Sequence, residues 1–487
     1  MIARWRSLSA RDGLLLVVCA LIAFIGVAAQ IRDVTGMPFL SEDWTQLAEM
    51  KGVPTLLGAL DRHLEPLRPL QHAYFWLLAH VFEGRLTDPA VVGLAHGLAL
   101  ALHAVSCVLV YKLAREMGLG ILGALAAAWL FAMFPNVKSL AWPAAIGSPG
   151  RVTCELLALV CWLRHAKTRS AASGALGLTA FVLALGFHES AMLVPVFVAA
   201  WLVFGLGASP RAGVADLLRR WRDRWFATLA ALTAVYVVHL AFLRPERHHQ
   251  LKSLAALPAN FVKAALSLAP EFVRVPAVDG LRGEPGSWPF LAGALIVLAA
   301  VTFAGYVFTR NAFARFIVVA IAIELALPMI GAGFVQRYAY LASAYAAIGV
   351  ARWYASAPRG VREAAVLALG LCWAFDTQVD RADVREAGLA ARRLVATARE
   401  QRAVIGPGVP IAIVDASDMA GTEEDIPLFN WGADFMLAAH QVDGPWLFWR
   451  TRAFRTSTNF EFVDAARIEE ARRTGSPRLL FVTPNPN

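Results

Sequence analysis

Two adjacent carboxylates near the start of the chain are the side chains best suited to chemistry. Glu42 and Asp43 stand shortly after the apolar run from Leu14 to Ala29. A carboxylate in this place can act as a general base on an acceptor hydroxyl if it reaches that proton. It can also help to hold a divalent cation through oxygen ligation. The alternatives are a solvated loop or the cap of a helix that begins near Trp44.

Three cations are placed where they would meet an anionic group. Arg68 stands between two prolines at an expected helix start, which holds it in a defined place, and arginine suits phosphate or carboxylate. Lys138 lies at the start of the outer turn 136–150 and Arg151 directly after it, and both have the charge to meet a phosphate or pyrophosphate. The alternatives are an interfacial anchor or a partner for Glu65 in the case of Arg68, and contact with lipid headgroups for the other two.

Two further polar pairs lie at the junctions of apolar runs. His188 and Glu189 separate the runs 173–187 and 190–207, and Arg337 and Tyr338 stand at the start of a later one. Ionisable groups in such places tend to face a cavity or a partner. The first pair is also consistent with a wet turn between two helices, and Arg337 with a paired structural role.

The elements that must position these residues are expected to cross a membrane. The chain has 487 residues, of which 58% are hydrophobic and 17% charged, whereas soluble domains are about a quarter charged. Runs of about 20 apolar residues can span a bilayer as helices. The five cysteines all lie inside such runs and predict no disulfide framework. About eleven spans are predicted, at 13–30, 91–114, 119–135, 151–164, 173–187, 190–207, 225–243, 289–308, 314–332, 335–351 and 361–377.

The basic residues predict the orientation of these spans. With the N-terminus inside, the inner loops are short and basic, as the positive-inside rule expects. Reading 173–207 as one span would put the basic cluster Arg219–Arg224 outside, so two spans are favoured. The net charge of +9 follows from these loops, and no nucleic-acid partner is expected. The inner cations are Lys112 and Arg115; Arg164, Lys167 and Arg169; Arg211, Arg219, Arg220, Arg222 and Arg224; Arg310 and Arg315; and Arg352, Arg359 and Arg362.

All the reactive candidates then fall on the outer side. Within the outer loop 31–90, Leu67–Phe82 predicts an amphipathic helix lying in the membrane interface, and 253–275 has a similar pattern. An odd number of spans also places the tail outside. We divide the chain into a membrane domain, 1–377, and a small soluble α/β domain, 378–487, with strands near Val409–Val414 and Leu479–Thr483 and a helix near 430–440.

Together these pieces resemble a membrane glycosyltransferase of the GT-C fold, near the protein O-mannosyltransferase-like and aminoarabinose-transferase-like enzymes. The resemblance covers roughly residues 1–355. It rests on an acidic motif at Ser41–Trp44, an "RPL" at Arg68–Leu70, the stretch His96–Tyr111, the run Phe131–Trp142 and the segment Gln336–Leu341, which resembles a late "ERYxYLP" motif.

The resemblance implies transfer of a sugar from a polyprenyl-phosphate donor to a lipid, glycan or protein acceptor on the outer side. Asp43, with Glu42 beside it, would be the acceptor-activating base. The lipid phosphate would be held by Arg68, Lys138, Arg151 and Arg337, and the pocket would be shaped by His188, Glu189 and Tyr338. The location expected is a bacterial inner membrane with the C-terminal domain in the periplasm.

Two other functions are consistent with the same pattern. A transporter or flippase of lipid-linked sugars would use a similar basic cavity without chemistry, although no inverted repeat is evident. An O-antigen ligase or polymerase would also act on the outer face, typically around a large later loop. Loop 244–288, with Arg244, Arg247, His248 and His249, is consistent with that reading.

Overall fold

The structure is a computed structural model that describes most, but not all, of the chain. The predicted first span 13–30, most of loop 244–288 and residues Arg337 and Tyr338 lie outside the described residues. The described residues are 36–40, 42–61, 68–205, 210–220, 223–243, 266–270, scattered positions from 287 to 306, 312–330, 339–356, 360–406, 408–415, 433–450 and 461–482.

The protein is mostly helical and carries one small parallel sheet near its C-terminus. The helices are α1 (Glu42–Lys51), α2 (Leu56–Asp61), α3 (Pro69–Val81), α4 (Pro89–Glu116), α5 (Ile121–Met133), α6 (Val137–Ala141), α7 (Gly147–Thr168), α8 (Ala171–Phe187), α9 (Val194–Ala200), α10 (Pro210–Arg220), α11 (Arg224–Leu243), α12 (Ala312–Ile330), α13 (Tyr340–Ser356), α14 (Val361–Ile405), α15 (Ala433–Ala439) and α16 (Ala465–Thr474). Short 3₁₀ turns occupy Pro143–Ile146 and Glu189–Leu193, and a π-helical turn occupies Trp201–Gly205.

Local sequence explains where the longest apolar helix begins and ends. Asp88 precedes α4, and its carboxylate accepts the N–H of Ala90 at 2.9 Å, while Pro89 occupies the first helical position, where no N–H is needed. Gly118, with φ of +89°, takes the left-handed conformation just past the helix end. These signals bracket the predicted span 91–114.

Two described helical segments are long and apolar enough to cross a membrane: α4, and the continuous stretch Pro143–Thr168 that contains α7. The predicted eleven-span arrangement is therefore not confirmed. Three further apolar helices are shorter, at Ile121–Met133, Ala171–Phe187 and Glu189–Gly205. A helix rises about 1.5 Å per residue, so α5 covers roughly 20 Å of a hydrocarbon layer about 30 Å thick.

Glycines allow three helix ends to approach closely where the polar candidates lie. A Cβ on Gly147 would stand 2.7 Å from the Gln71 side chain, and one on Gly150 would stand 2.5 Å from the ring of Phe187. A Cβ on Gly186 would stand 2.9 Å from Leu70. Larger residues would thus hold α3 away from the start of α7 and the end of α8.

The C-terminal region contains the expected α/β unit. Four parallel strands, β1 (Ile411–Asp415), β2 (Trp446–Arg450), β3 (Glu461–Phe462) and β4 (Arg478–Val482), lie in the order β3-β2-β1-β4. The strands expected near Val409–Val414 and Leu479–Thr483 and the helix expected near 430–440 are present as β1, β4 and α15. The strands β2 and β3 and the helix α16 were not predicted.

Helix α14 crosses the boundary that we placed between residues 377 and 378. It continues unbroken for 45 residues because the polar stretch after Asp376 is rich in alanine, arginine, glutamate and leucine, which favour helix. A change from apolar to polar side chains therefore does not end the helix.

The C-terminal unit packs against the first outer segment. The ring of Trp44 in α1 lies 6.0 Å from the ring of Phe435, in the first turn of α15, and 6.0 Å from the ring of His440, just beyond the end of that helix. Arg392 of α14 donates to the carbonyl of Gly36. The buried side chains of α1, α15 and β1 consequently belong to one continuous apolar core with the helical bundle.

Candidate functional site

Asp43 is fully buried and ties two distant segments together. Its Oδ2 accepts the N–H of Leu40 at 2.7 Å, and its Oδ1 accepts the N–H of Ala144 at 2.5 Å, across 101 residues of sequence. Charge-assisted bonds of this length are among the stronger ones in proteins. The carboxylate thus fixes the start of α1 against the 3₁₀ turn Pro143–Ile146.

The peptide group of Ala144 links Asp43 to the helix that follows Arg68. While its N–H donates to Asp43, its carbonyl accepts from Nε2 of Gln71 at 3.0 Å. Gln71 is buried in the first turn of α3, and Arg68 stands immediately before that helix. One peptide group therefore couples the acidic motif to the arginine motif.

Arg68 reaches the junction between α8 and the next turn. Its Nε and Nη2 donate to the two carboxylate oxygens of Glu189 at 3.1 and 3.2 Å, and Nη2 lies 2.9 Å from Nε2 of His188. The planar fork of arginine matches this bidentate geometry. The Arg68 and Glu189 side chains are each 21% exposed, so the pair lies at the edge of the fold.

Contacts at both ring nitrogens hold His188 in place. Its Nε2 lies 2.9 Å from Nη2 of Arg68. Its Nδ1 accepts the backbone N–H of Ser190 at 3.2 Å and lies 2.9 Å from Oγ of the same residue. These contacts fix the orientation of the imidazole ring beside Glu189.

Burial and neighbouring charges shift the pKa of Glu189 and the pKa of Tyr74. Burial by itself would raise the pKa of Glu189, but the adjacent His188 and Arg68 outweigh it and hold that pKa below its usual range. The pKa of the Tyr74 phenol in α3 is raised, first by burial and then by the Asp43 carboxylate. Glu189 is accordingly an ion-pair partner and a weak base.

Arg151 lies elsewhere than expected from the sequence. We placed it at the end of an outer turn, but it is buried in the second turn of α7. Its Nη2 contacts Oε1 of Glu324 in α12 at 2.6 Å, and its Nη1 lies 3.5 Å from Oε2 of Glu155. Two carboxylates therefore surround the guanidinium, which argues against a role for Arg151 in binding phosphate.

The remaining predicted residues are described in part or not at all. Glu42 is the first residue of α1 and Lys138 lies in α6, both near the polar contacts above, but their side chains lie outside the described part. Arg337 and Tyr338 belong wholly to the undescribed segment 331–338.

Residues from three of the resemblance segments pack together inside the bundle. His103 Nδ1 lies 2.5 Å from the hydroxyl of Tyr340, and the Phe131 ring stacks on Tyr340 with centroids 5.6 Å apart. Nearer the outer segment, His96 Nε2 lies 3.3 Å from the carbonyl of Met37. Segments that are far apart in sequence thus form one interior around α4 and α13.

The loops that we assigned to the inner side meet at the far end of α7. Lys167 pairs with Glu116 at 3.1 Å, joining the ends of α4 and α7. Asp223 accepts from Arg169 at 2.9 Å and lies 3.1 Å from Nε2 of His165. Burial would raise the pKa of Asp223, but its hydrogen bonds to the Trp225 backbone, Arg169 and His165 lower it. The candidate outer residues lie at the opposite helix end.

Sequence reasoning missed three residues of these clusters. Glu155 and Glu324 stand inside predicted spans, and an ionisable residue in such a run is itself a signal of a buried partner. Gln71 has no such signal, because a glutamine in a predicted interfacial helix is ordinary.

Within the described ranges, no three His, Cys, Asp or Glu side chains are grouped so that they could hold a metal ion. Comparison with known proteins finds no family model that matches the chain and no matching curated protein.

Proposed function

We propose that the chain is a membrane glycosyltransferase that transfers a sugar from a polyprenyl-phosphate donor to an acceptor on the outer face of a bacterial inner membrane. The proposal includes the GT-C-like arrangement of about eleven spans, with the N-terminus inside and the C-terminal unit outside. One observation carries it. Asp43, Arg68 and Glu189, far apart in sequence, are joined by contacts at one end of the helical bundle.

Asp43 is the proposed general base. Its two carboxylate oxygens accept the N–H groups of Leu40 and Ala144, and each carboxylate oxygen can accept more than one hydrogen bond. The backbone bonds orient the carboxylate before the acceptor arrives, which reduces the entropy cost of a reactive geometry. Because Asp43 is buried, the acceptor hydroxyl must enter the fold to reach it.

Arg68 is the proposed ligand of the donor phosphate. Its Nε and Nη2 are directed to Glu189 and His188, and Nη1, which makes none of these contacts, is the group offered to phosphate. Holding the guanidinium in place before binding allows it to stabilise charge that develops on the leaving phosphate. Lys138 and Arg337 are proposed to assist, and Tyr338 to line the pocket.

A transporter of lipid-linked sugars is the second candidate. It is favoured by one observation, the buried ion cluster of Arg151, Glu155 and Glu324, because ionisable groups inside candidate spans often mark an ion or substrate path. In this reading Asp43 keeps its structural contacts but has no chemical role.

The test compares donor consumption by wild type, Asp43→Asn and a matched control. The control is Lys167→Met, which removes an ion pair at the opposite helix end. Each purified protein is incubated with a panel of polyprenyl-phosphate sugars, and the release of polyprenyl phosphate is followed by mass spectrometry. Chromatographic homogeneity and thermal stability are measured on the same samples.

The expected result is donor consumption by wild type and Lys167→Met, and a loss of at least 100-fold in Asp43→Asn, the lower range for a general base. Equal turnover in Asp43→Asn would remove Asp43 from the chemistry. Binding of donor by all three proteins without consumption, together with movement of donor across vesicle membranes, would favour transport instead.

A further inference from the structure

A second polar cluster lies inside the bundle, separate from the Asp43 and Arg68 contacts. Arg151 and Glu155 come from α7, Glu324 from α12 and Tyr345 from α13, and all four side chains are buried. The Arg151–Glu324 contact of 2.6 Å is a hydrogen-bonded ion pair. The Arg151–Glu155 contact of 3.5 Å lacks hydrogen-bond geometry.

The charges of this cluster do not balance. One guanidinium faces two carboxylates, which leaves one negative charge in excess if both are ionised. The surroundings are apolar, since the Tyr345 ring packs on Phe197 and Phe316 with centroids 5.3 and 5.9 Å apart. An uncompensated carboxylate in such a place is costly, and a buried group of this kind normally neutralises itself.

Unused hydrogen-bonding atoms mark where the compensating group would bind. Both carboxylate oxygens of Glu155, Oε2 of Glu324 and the Tyr345 hydroxyl are buried and make no hydrogen bond. A protonated Glu155 would supply the donor that such acceptors require. Glu155 is the carboxylate that takes the proton because Glu324 holds the shorter, hydrogen-bonded contact with Arg151.

The other charged and titratable groups around the cluster do not supply the missing positive charge. Cys154 on α7 interacts with Glu155, and Glu189 in the 3₁₀ turn acts on Arg151. Tyr345 on α13 interacts with all three charged residues. These neighbours are neutral or acidic, and Arg151 is the single cation among the described groups of the cluster.

We infer that the Arg151–Glu155–Glu324 cluster is a proton-binding site, in which Glu155 is held as the neutral acid at neutral pH. The inference does not depend on the proposed transferase activity. The bound proton gives the cluster zero net charge and lets α7, α12 and α13 pack around it. A small monovalent cation such as sodium has the same charge and is the competing occupant.

Infrared spectroscopy of the purified protein tests this assignment. A protonated carboxylic acid has a carbonyl stretch well separated from carboxylate bands, and an ester-free detergent removes lipid interference. Spectra are recorded at neutral pH in sodium and in choline buffers. The samples are wild type, Glu155→Gln, Glu324→Gln and the double variant Arg151→Gln/Glu324→Gln.

The charge balance of the cluster predicts which samples show the acid band. Wild type should show one acid band in both buffers, and Glu155→Gln should lose it. Glu324→Gln should also lose it, because Glu155 must then ionise to pair with Arg151. The double variant should retain the band, because Glu155 then has no cation with which to pair. The double variant therefore tests the inference even if Glu324→Gln fails to fold.

Three outcomes would overturn the inference. The first is a wild type without an acid band in either buffer. The second is a band that survives in Glu155→Gln, since it would then arise elsewhere. The third is a band seen in choline but abolished by sodium, which would identify the site as a sodium site.

Discussion

Replacing Asp43 by asparagine should destabilise the fold as well as affect any chemistry. The side chains are nearly the same shape, but asparagine has one acceptor oxygen where aspartate has two. Asp43 accepts the N–H groups of Leu40 and Ala144 on different oxygens, so one of these groups would face an NH₂ donor. Because the site is buried, water does not readily replace the lost partner.

The size of the effect follows from these contacts. A hydrogen bond to a charged group contributes about 1.5–3 kcal/mol, and an unsatisfied buried N–H costs about 1–3 kcal/mol. The two terms overlap, so we expect Asp43→Asn to lower the free energy of unfolding by about 2–4 kcal/mol. If asparagine keeps the local bond to Leu40, the connection between α1 and the Pro143–Ile146 turn is the one that is lost.

A variant on the other side of the same peptide group provides the comparison. Gln71→Met removes the bond from Gln71 to the Ala144 carbonyl while keeping a similar volume and leaving the Asp43 carboxylate intact. A neutral hydrogen bond contributes about 0.5–1.5 kcal/mol, so Gln71→Met should lower the free energy of unfolding by less than Asp43→Asn does.

The assay is denaturant unfolding in detergent, followed by tryptophan fluorescence, with the midpoint and slope compared among the three proteins. An Asp43→Asn midpoint equal to that of wild type, or a larger shift in Gln71→Met than in Asp43→Asn, would refute the reasoning. If the prediction holds, loss of activity in Asp43→Asn must be judged against Gln71→Met before it is attributed to a missing base.

Three further predictions concern the same end of the bundle. Arg68 and Glu189 are partly exposed, so a double-mutant cycle with Arg68→Gln and Glu189→Gln should give a coupling of about 1–2 kcal/mol. The pKa of Glu189 in the folded protein lies below its ordinary value of 4.5, so this stabilisation is complete above about pH 4.5 and is lost as the pH falls through the lower folded value. Unfolding midpoints of wild type and the variants that already coincide at neutral pH would contradict the prediction. Gly150→Ala should lower stability by about 1–3 kcal/mol in thermal unfolding because its Cβ would meet an aromatic ring of α8, whereas Gly97→Ala, with open space around it, should be neutral or stabilising. Trp44→Ala should speed proteolytic release of the C-terminal unit, since the indole packs on α15; an unchanged cleavage rate would show that other contacts hold that unit.

Local sequence determined where most described helices lie. The apolar run 173–187 appears as α8 and the run 225–243 as α11, because run length and the flanking proline, glycine and polar residues act within a few turns. The strands β1 and β4 were identified for the same reason. The strands β2 and β3 were missed, because short runs such as Trp446–Arg450 have little pattern of their own.

The candidate site could be predicted only as a set of residue types near helix ends. The pairing of Arg68 with Glu189 brings together residues separated by 121 positions, and each has other possible partners in the sequence. The contact of Asp43 is with a backbone N–H, which every residue except proline carries, so no residue type announces it.

Tertiary structure alone decided which cations are neutralised. Arg151 looked like Arg68 in sequence, a cation beside an apolar run, but α12 brings Glu324 against it and buries both. The charge of a side chain is a property of its residue type, whereas its burial and its partner depend on how the helices pack. The sequence by itself therefore determined most of the described helices and their reactive side chains, and packing decided which of those side chains meet.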